Sequence, residues 1–191
     1  MESTSWSQQR HFAMKPSSLL RALGNTDAVA AVEFAFIAPI LILMTFAVIQ
    51  FADVYECLSK VKAVATTASD MVSQEKELTN SGKDDVFAAA RAVLYPHDSS
   101  GAVIVLTSVV DDGKGHAKVV WSEANNGSAL DAESSVTPPA GILQPGGSVI
   151  VAQVTYSYSP PAITDFFGTL TFTETSYAVP RLSAQVARVR S

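Results

Sequence analysis

From Val29 to Phe51 the chain reads VAAVEFAFIAPILILMTFAVIQF, 23 residues carrying one charge, Glu33. At about 1.5 Å per residue, a helix of this length spans the ~30 Å hydrocarbon core of a bilayer with a little to spare. It exceeds the roughly 7–15 residue apolar core of a removable secretory signal, and no A-x-A-like cleavage site follows it. The segment is therefore expected to stay in the protein as a transmembrane helix over 29–51. Pro39 lies inside it; such a proline costs roughly 3 kcal/mol in a water-soluble helix but gives only a mild kink in a membrane one. Arg10, Lys15 and Arg21 precede the span, and Lys60 and Lys62 follow it. That bias favours a cytoplasmic N-terminus and a translocated C-terminal domain.

The remaining chain is long enough for one domain and too short for two. Residues 1–28 read as a polar cytoplasmic leader, rich in serine and glutamine without a sustained period.

Beyond the span the helix is expected to continue, because Val54, Leu58, Val61, Ala65, Ala68 and Val72 recur at three- and four-residue spacing. Asn80-Ser81-Gly82 predicts a break, followed by a short helix from Lys83 to Tyr95 with Val86, Phe87, Ala90, Val93 and Leu94 inward, stopped by Pro96. The period then changes. Four β-type runs follow, Ala102–Val110, Ala117–Ser122, Ser148–Tyr158 and Thr169–Ala178, the first two joined by the turn-forming Asp111-Asp112-Gly113-Lys114-Gly115. Residues 123–147 are turn-formers almost throughout, a long loop that is either functional or mobile. The pattern predicts an α+β fold over 52–191, with the long helix packed on a four-stranded antiparallel sheet outside the cytoplasm.

Several kinds of chemistry lack a signature. A net charge of −5 and a pI near 5.1 leave no basic face for nucleic acid, and the C-terminal Arg181, Arg188 and Arg190 are too sparse to make one. The single cysteine, Cys57, excludes an intrachain disulfide and a multi-cysteine zinc site, and reads as a packed thiol rather than a cross-link. His11, His97 and His116 have no ligand or triad neighbour in sequence and read as solvated loop residues. Asp84 and Asp85 suit the first turn of a helix. No nucleophile elbow, phosphate loop, dinucleotide fingerprint or zinc-protease motif occurs, so neither an enzyme nor a cofactor or metal site is expected.

Glu33 needs a reason. A carboxylate at the centre of a membrane helix costs about 2.5–3.5 kcal/mol on insertion scales, and such residues commonly mark function. At its depth, on the order of 6 Å past Val29, snorkelling to the headgroups is the competing account. The surrounding string, with Ala30-Ala31-Val32-Glu33-Phe34, Pro39, and Phe51 with Tyr55, resembles the start of the TadE-like family, minor pilins (pseudopilins) of the tight-adherence type IV pilus systems. Val154–Pro161, Phe166-Phe167-Gly168 and Tyr177–Arg181 are similar to that family's last two strands and closing proline–arginine; residues 80–147 carry no likeness. The resemblance implies a pilin-like fold and a bacterial inner-membrane protein with its C-terminal domain in the periplasm. It also implies a prepilin peptidase that removes the leader between Ala28 and Val29, making Glu33 the fifth residue of the mature chain. This chain has Ala28 where the family usually has glycine, and Asp27 before it. Glu33, Phe34 and Pro39 are then the subunit-assembly residues, and the partners are other pilins and the inner-membrane assembly machinery, in a hetero-oligomer that can enter the pilus. The first rival reading is a membrane-tethered binding module unrelated to pili, with a ligand held by the 123–147 loop; a second, weaker one is a membrane-anchored enzyme of unrecognised type.

Overall fold

A computed structural model describes residues 26–113, 116–160 and 168–190. The leader up to residue 25, His11, Lys114-Gly115 of the expected turn and the Phe166-Phe167 pair lie outside the described residues. The chain divides into two units, Met1–Ile49 and Gln50–Ser191. Helix α1 (Thr26–Ser73) begins in the first and ends in the second. The second unit continues with β1 (Glu77–Leu78), α2 (Asn80–Ala92), β2 (Val103–Asp111), β3 (Ala117–Asn125), β4 (Ser148–Tyr158), β5 (Leu170–Ala178) and β6 (Ala187–Arg188).

The expected architecture is present: β2 to β5 form an antiparallel sheet in the order β3-β2-β4-β5. Alternation along each strand gives the sheet two faces. Ile104 and Leu106 of β2 and Ile150, Ala152, Val154, Tyr156 and Tyr158 of β4 are buried on one face. They share a core with Cys57, Val61, Val64, Ala65, Ala68 and Val72 of α1 and with Val86, Phe87 and Ala90 of α2. Of the stripe foreseen on α1, Val61, Ala65, Ala68 and Val72 pack, with Val54 at the half-buried margin; Leu58 stays half-buried outside the cluster, and Cys57 and Val64 pack in addition. Ser69 and Ser73 sit in the same buried face, each donating to a carbonyl three residues back in α1, so their burial leaves no orphan hydroxyl.

Some expectations need correction. The break between the helices falls at 74–79 and not at Asn80-Ser81-Gly82, which forms the first turn of α2. Thr79 is the N-cap, and its hydroxyl accepts from the Gly82 amide at 3.1 Å, a cap that a glycine-centred reading overlooks. Asp84 and Asp85 consequently fall beyond that first turn; Asp84 pairs with Lys83 at 3.1 Å. Helix α2 ends at Ala92 with Val93 as its cap, short of Tyr95. His97 is half-buried, its ring set edge-on to Tyr158 with centroids 5.3 Å apart, so it is not a freely solvated loop residue.

A second, two-stranded sheet pairs β1 with β6 in parallel and was not foreseen. It returns the C-terminal segment to the inter-helix connection, where Trp121 Nε1 donates to the Val186 carbonyl at 2.8 Å. The sparse C-terminal arginines are committed there: Arg188 pairs with Glu123 at 2.8 Å, and Arg181 pairs with Asp70.

The long 123–147 segment is folded against the sheet. Strand β3 takes its first three residues. Further on, the Glu133 amide donates to Val119 O at 2.8 Å, Val119 N to Ser134 O at 3.0 Å, and Val136 N to Ala117 O at 3.1 Å. Val136, Ile142 and Leu143 pack on Val109, Ala117 and Val149 over the sheet face opposite the helices. Asp111, buried at the end of β2, accepts from the amides of Gly113 (3.0 Å) and Gly146 (2.8 Å), tying the hairpin turn to the end of the loop. Gly113 adopts φ +77°, a left-handed conformation that suits glycine at the tip of this turn.

Candidate assembly helix

The apolar half of α1 is helical from Thr26 and continues unbroken through Pro39. Its first turn carries Asp27, favourably placed for the positive end of the helix dipole. The Ala28–Val29 peptide lies in that turn. Every residue from Val29 to Phe51 is exposed except Ala38 and Gln50, including Phe34 (66%), Phe36 (75%) and Leu43 (69%). A surface this apolar is what lipid solvates, and the helix is long and apolar enough to cross a membrane. Thr45, the hydroxyl in the lower half, donates to Leu41 O at 2.8 Å, so its polarity is satisfied within the helix.

Glu33 is exposed on this surface. At about 100° per residue, Ile37, Ile40 and Met44 continue its face, so the carboxylate heads an otherwise apolar stripe. Phe34 lies about 100° round the helix from Glu33, and Pro39 about 240° round. The three expected assembly residues therefore share a helix but not a face.

Past the span, a group of polar side chains fastens α1 to its domain. The Tyr158 hydroxyl donates to Asp53 Oδ2. Lys60 Nζ donates to Tyr95 O at 2.6 Å and stands 3.5 Å from Glu56 one turn earlier. Tyr156, at the same end of β4, donates to Asp98 O at 2.8 Å. Burial raises the Tyr158 phenol well above its usual range, and its bond to Asp53 and that carboxylate's charge add to the effect. Alternation along β4 puts Tyr156 and Tyr158 on one strand face, while their partners come from distant segments.

Cys57 sits between these contacts and is fully buried. Burial first, then the charges of Asp53 and Glu56, push its thiol up from 9.0 to about 11. It is a core thiol, without access to a second copy. In the native chain at pH 8 it is expected to resist a maleimide or a disulfide reagent for hours and to react within minutes in denaturant. Prompt native labelling would contradict the packing of α1 on the sheet. Because the folded state holds this proton above the pH at which the unfolded thiol releases it, the stabilisation is complete below pH 9 and fades as pH rises through 11, by roughly 2–3 kcal/mol.

Fold and helix together define a class: an α+β protein with, among the described residues, one helix long and apolar enough to cross a membrane, whose apolar segment carries one early carboxylate. Residues 28–70 match the model of the family described as TadE-like protein. Over that stretch the chain is similar to the TadE-like family. The matched stretch runs from Ala28 to Asp70 and so takes in Glu33, Phe34, Pro39 and all of the packing stripe but Val72. No curated protein and no solved structure matches the chain.

Proposed function

We propose that this protein is a minor pilin, or pseudopilin, or an assembly component of a bacterial tight-adherence pilus, acting by helix packing in the inner membrane and by contacts of its domain in the periplasm. The observation that carries the reading is Glu33: a carboxylate exposed on an otherwise apolar helical surface, within the TadE-like stretch. Such a charge is costly in lipid and is relieved by an opposite charge brought by another subunit. A prepilin peptidase cutting between Ala28 and Val29 would create that partner, an α-ammonium with a pKa near ~7.7–8.0 that is largely charged at neutral pH. One subunit's Glu33 then neutralises a neighbour's Val29 amino end and fixes the register between helices. Phe34 and Pro39, on other faces, shape contacts with different neighbours.

The rival binding-module reading depended on the 123–147 loop as a ligand holder. That loop has its backbone bonded to β3 and its apolar side chains on the sheet.

The experiment is an intact-mass measurement on the chain co-expressed with a prepilin peptidase. Loss of residues 1–28 is expected, leaving Val29 as the N-terminus, and an Ala28→Gly chain is expected to be cut faster. A chain that keeps its full mass beside a peptidase active on a control pilin counts against the processing step.

A further inference from the structure

Among the described residues, the two sides of the main sheet end differently. The outer edge of β3 is covered by the returning loop, through the Glu133, Val119 and Val136 amides. Strand β5 has no neighbour beyond it. Its nine residues, at about 3.4 Å each, present ~30 Å of backbone with unpaired donors and acceptors. Leu170–Ala178 contains one charged residue, Glu174, among threonines and aromatics that favour strand conformation. A groove of about 450 Å³ runs between this edge and α1, with Thr66, Ser69 and Asp70 on one wall and Ser176 and Arg181 on the other.

Glu174 gives the edge its selectivity. It is the central residue of β5 and stands opposite Val154, which is fully buried on the helix side of the sheet. Glu174 is itself half-buried, and no Lys or Arg pairs with it among the described residues. If two copies paired their β5 strands antiparallel about the centre, Glu174 would face Glu174, and like charges directly opposite are unfavourable. A second copy in this register is therefore disfavoured. A strand from a different chain with a cation at that position gains where a second copy loses.

We infer that the open edge of β5 receives an extended segment of another protein by antiparallel strand addition, and that Glu174 selects a segment presenting Lys or Arg opposite it. The inference stands whether or not the leader is processed and Glu33 pairs in the membrane.

The test uses the full chain in nanodiscs and two fluorescent nine-residue peptides, one with the sequence of residues 170–178 and one bearing Glu174→Lys. The lysine peptide is expected to bind the native chain about three- to thirtyfold more tightly than the glutamate peptide. Amide exchange across Leu170–Ala178 should slow in the complex. A chain carrying Glu174→Gln should lose the preference, and one carrying Glu174→Lys should invert it. Equal affinity for the two peptides, no binding of either, equal binding of a scrambled lysine peptide, or binding without protection of β5 would each overturn the inference.

Discussion

Glu33→Ala is expected to abolish co-purification with partner pilins from detergent-solubilised membranes, while the chain still inserts and its domain still unfolds at the unaltered temperature. The reason is an asymmetry. A buried ion pair gains little net stability over a well-packed apolar contact, but removing one member leaves the other charge uncompensated, at about 3–5 kcal/mol. In a helix bundle the stranded group would be a neighbour's α-ammonium at Val29. The penalty corresponds to a loss of association of roughly a hundred- to a few-thousandfold. Glu33→Gln keeps the shape and some hydrogen bonding but not the charge, and is expected to behave nearly as badly. Glu33→Asp keeps the charge on a shorter arm and should retain part of the association. Because Glu33 is exposed and lies on α1 outside the packed stripe, none of these changes should disturb the sheet domain. Undiminished co-purification of the alanine variant would leave snorkelling to the headgroups as the account of this carboxylate, and the pilin reading would lose its main support.

The parts of the molecule that a periodic pattern encodes were legible beforehand. The α1 stripe, four strands in the right places and the carboxylate in the apolar run all follow from local spacing or local composition. The start of α2 shifted because a cap is chosen by a single hydroxyl: Thr79 reaches the Gly82 amide, whereas the glycine itself looked like the breaker. The β1–β6 pair could not be seen, since two-residue strands have no period and their register, Glu77 with Ala187, joins distant segments. For the same reason the arginines at the C-terminus looked like a sparse tail. The 123–147 segment read as turn-formers, and it is one, but the backbone groups of residues 133–136 complete the edge of β3, a role that depends on what lies opposite rather than on composition. In the candidate helix, Glu33 was found through its cost in lipid; the separation of Glu33, Phe34 and Pro39 onto different faces follows only once the helix is known to be continuous.

The largest effect on the stability of the domain is expected at Arg188, whose side chain is 6% exposed. Its Nε donates to Glu123 at 2.8 Å, Nη1 to Leu78 O at 2.9 Å and to Val189 O at 2.5 Å, and Nη2 to Asn80 Oδ1 at 2.6 Å. One guanidinium thus joins β3, β1 and the start of α2 to the C-terminal strand, using the planar fork that only arginine offers. Arg188→Met should cost about 3–5 kcal/mol, because it leaves the largely buried Glu123 carboxylate and the Asn80 amide oxygen without this donor. Arg190 approaches Glu123 at 3.5 Å but is 72% exposed, so it replaces little of the loss. For a domain of this size the change lowers the melting temperature by about 10–20 °C, measurable by circular dichroism or scanning calorimetry of the chain in detergent. Arg188→Lys keeps the charge but not the fork and should recover less than half of the difference. Replacing both members, Arg188→Met with Glu123→Met, should be milder than Arg188→Met alone, since no carboxylate is then left behind. If the single change melts within a degree or two of the native chain, the C-terminal segment is not the clamp these contacts describe, and β6 frays without consequence for the sheet.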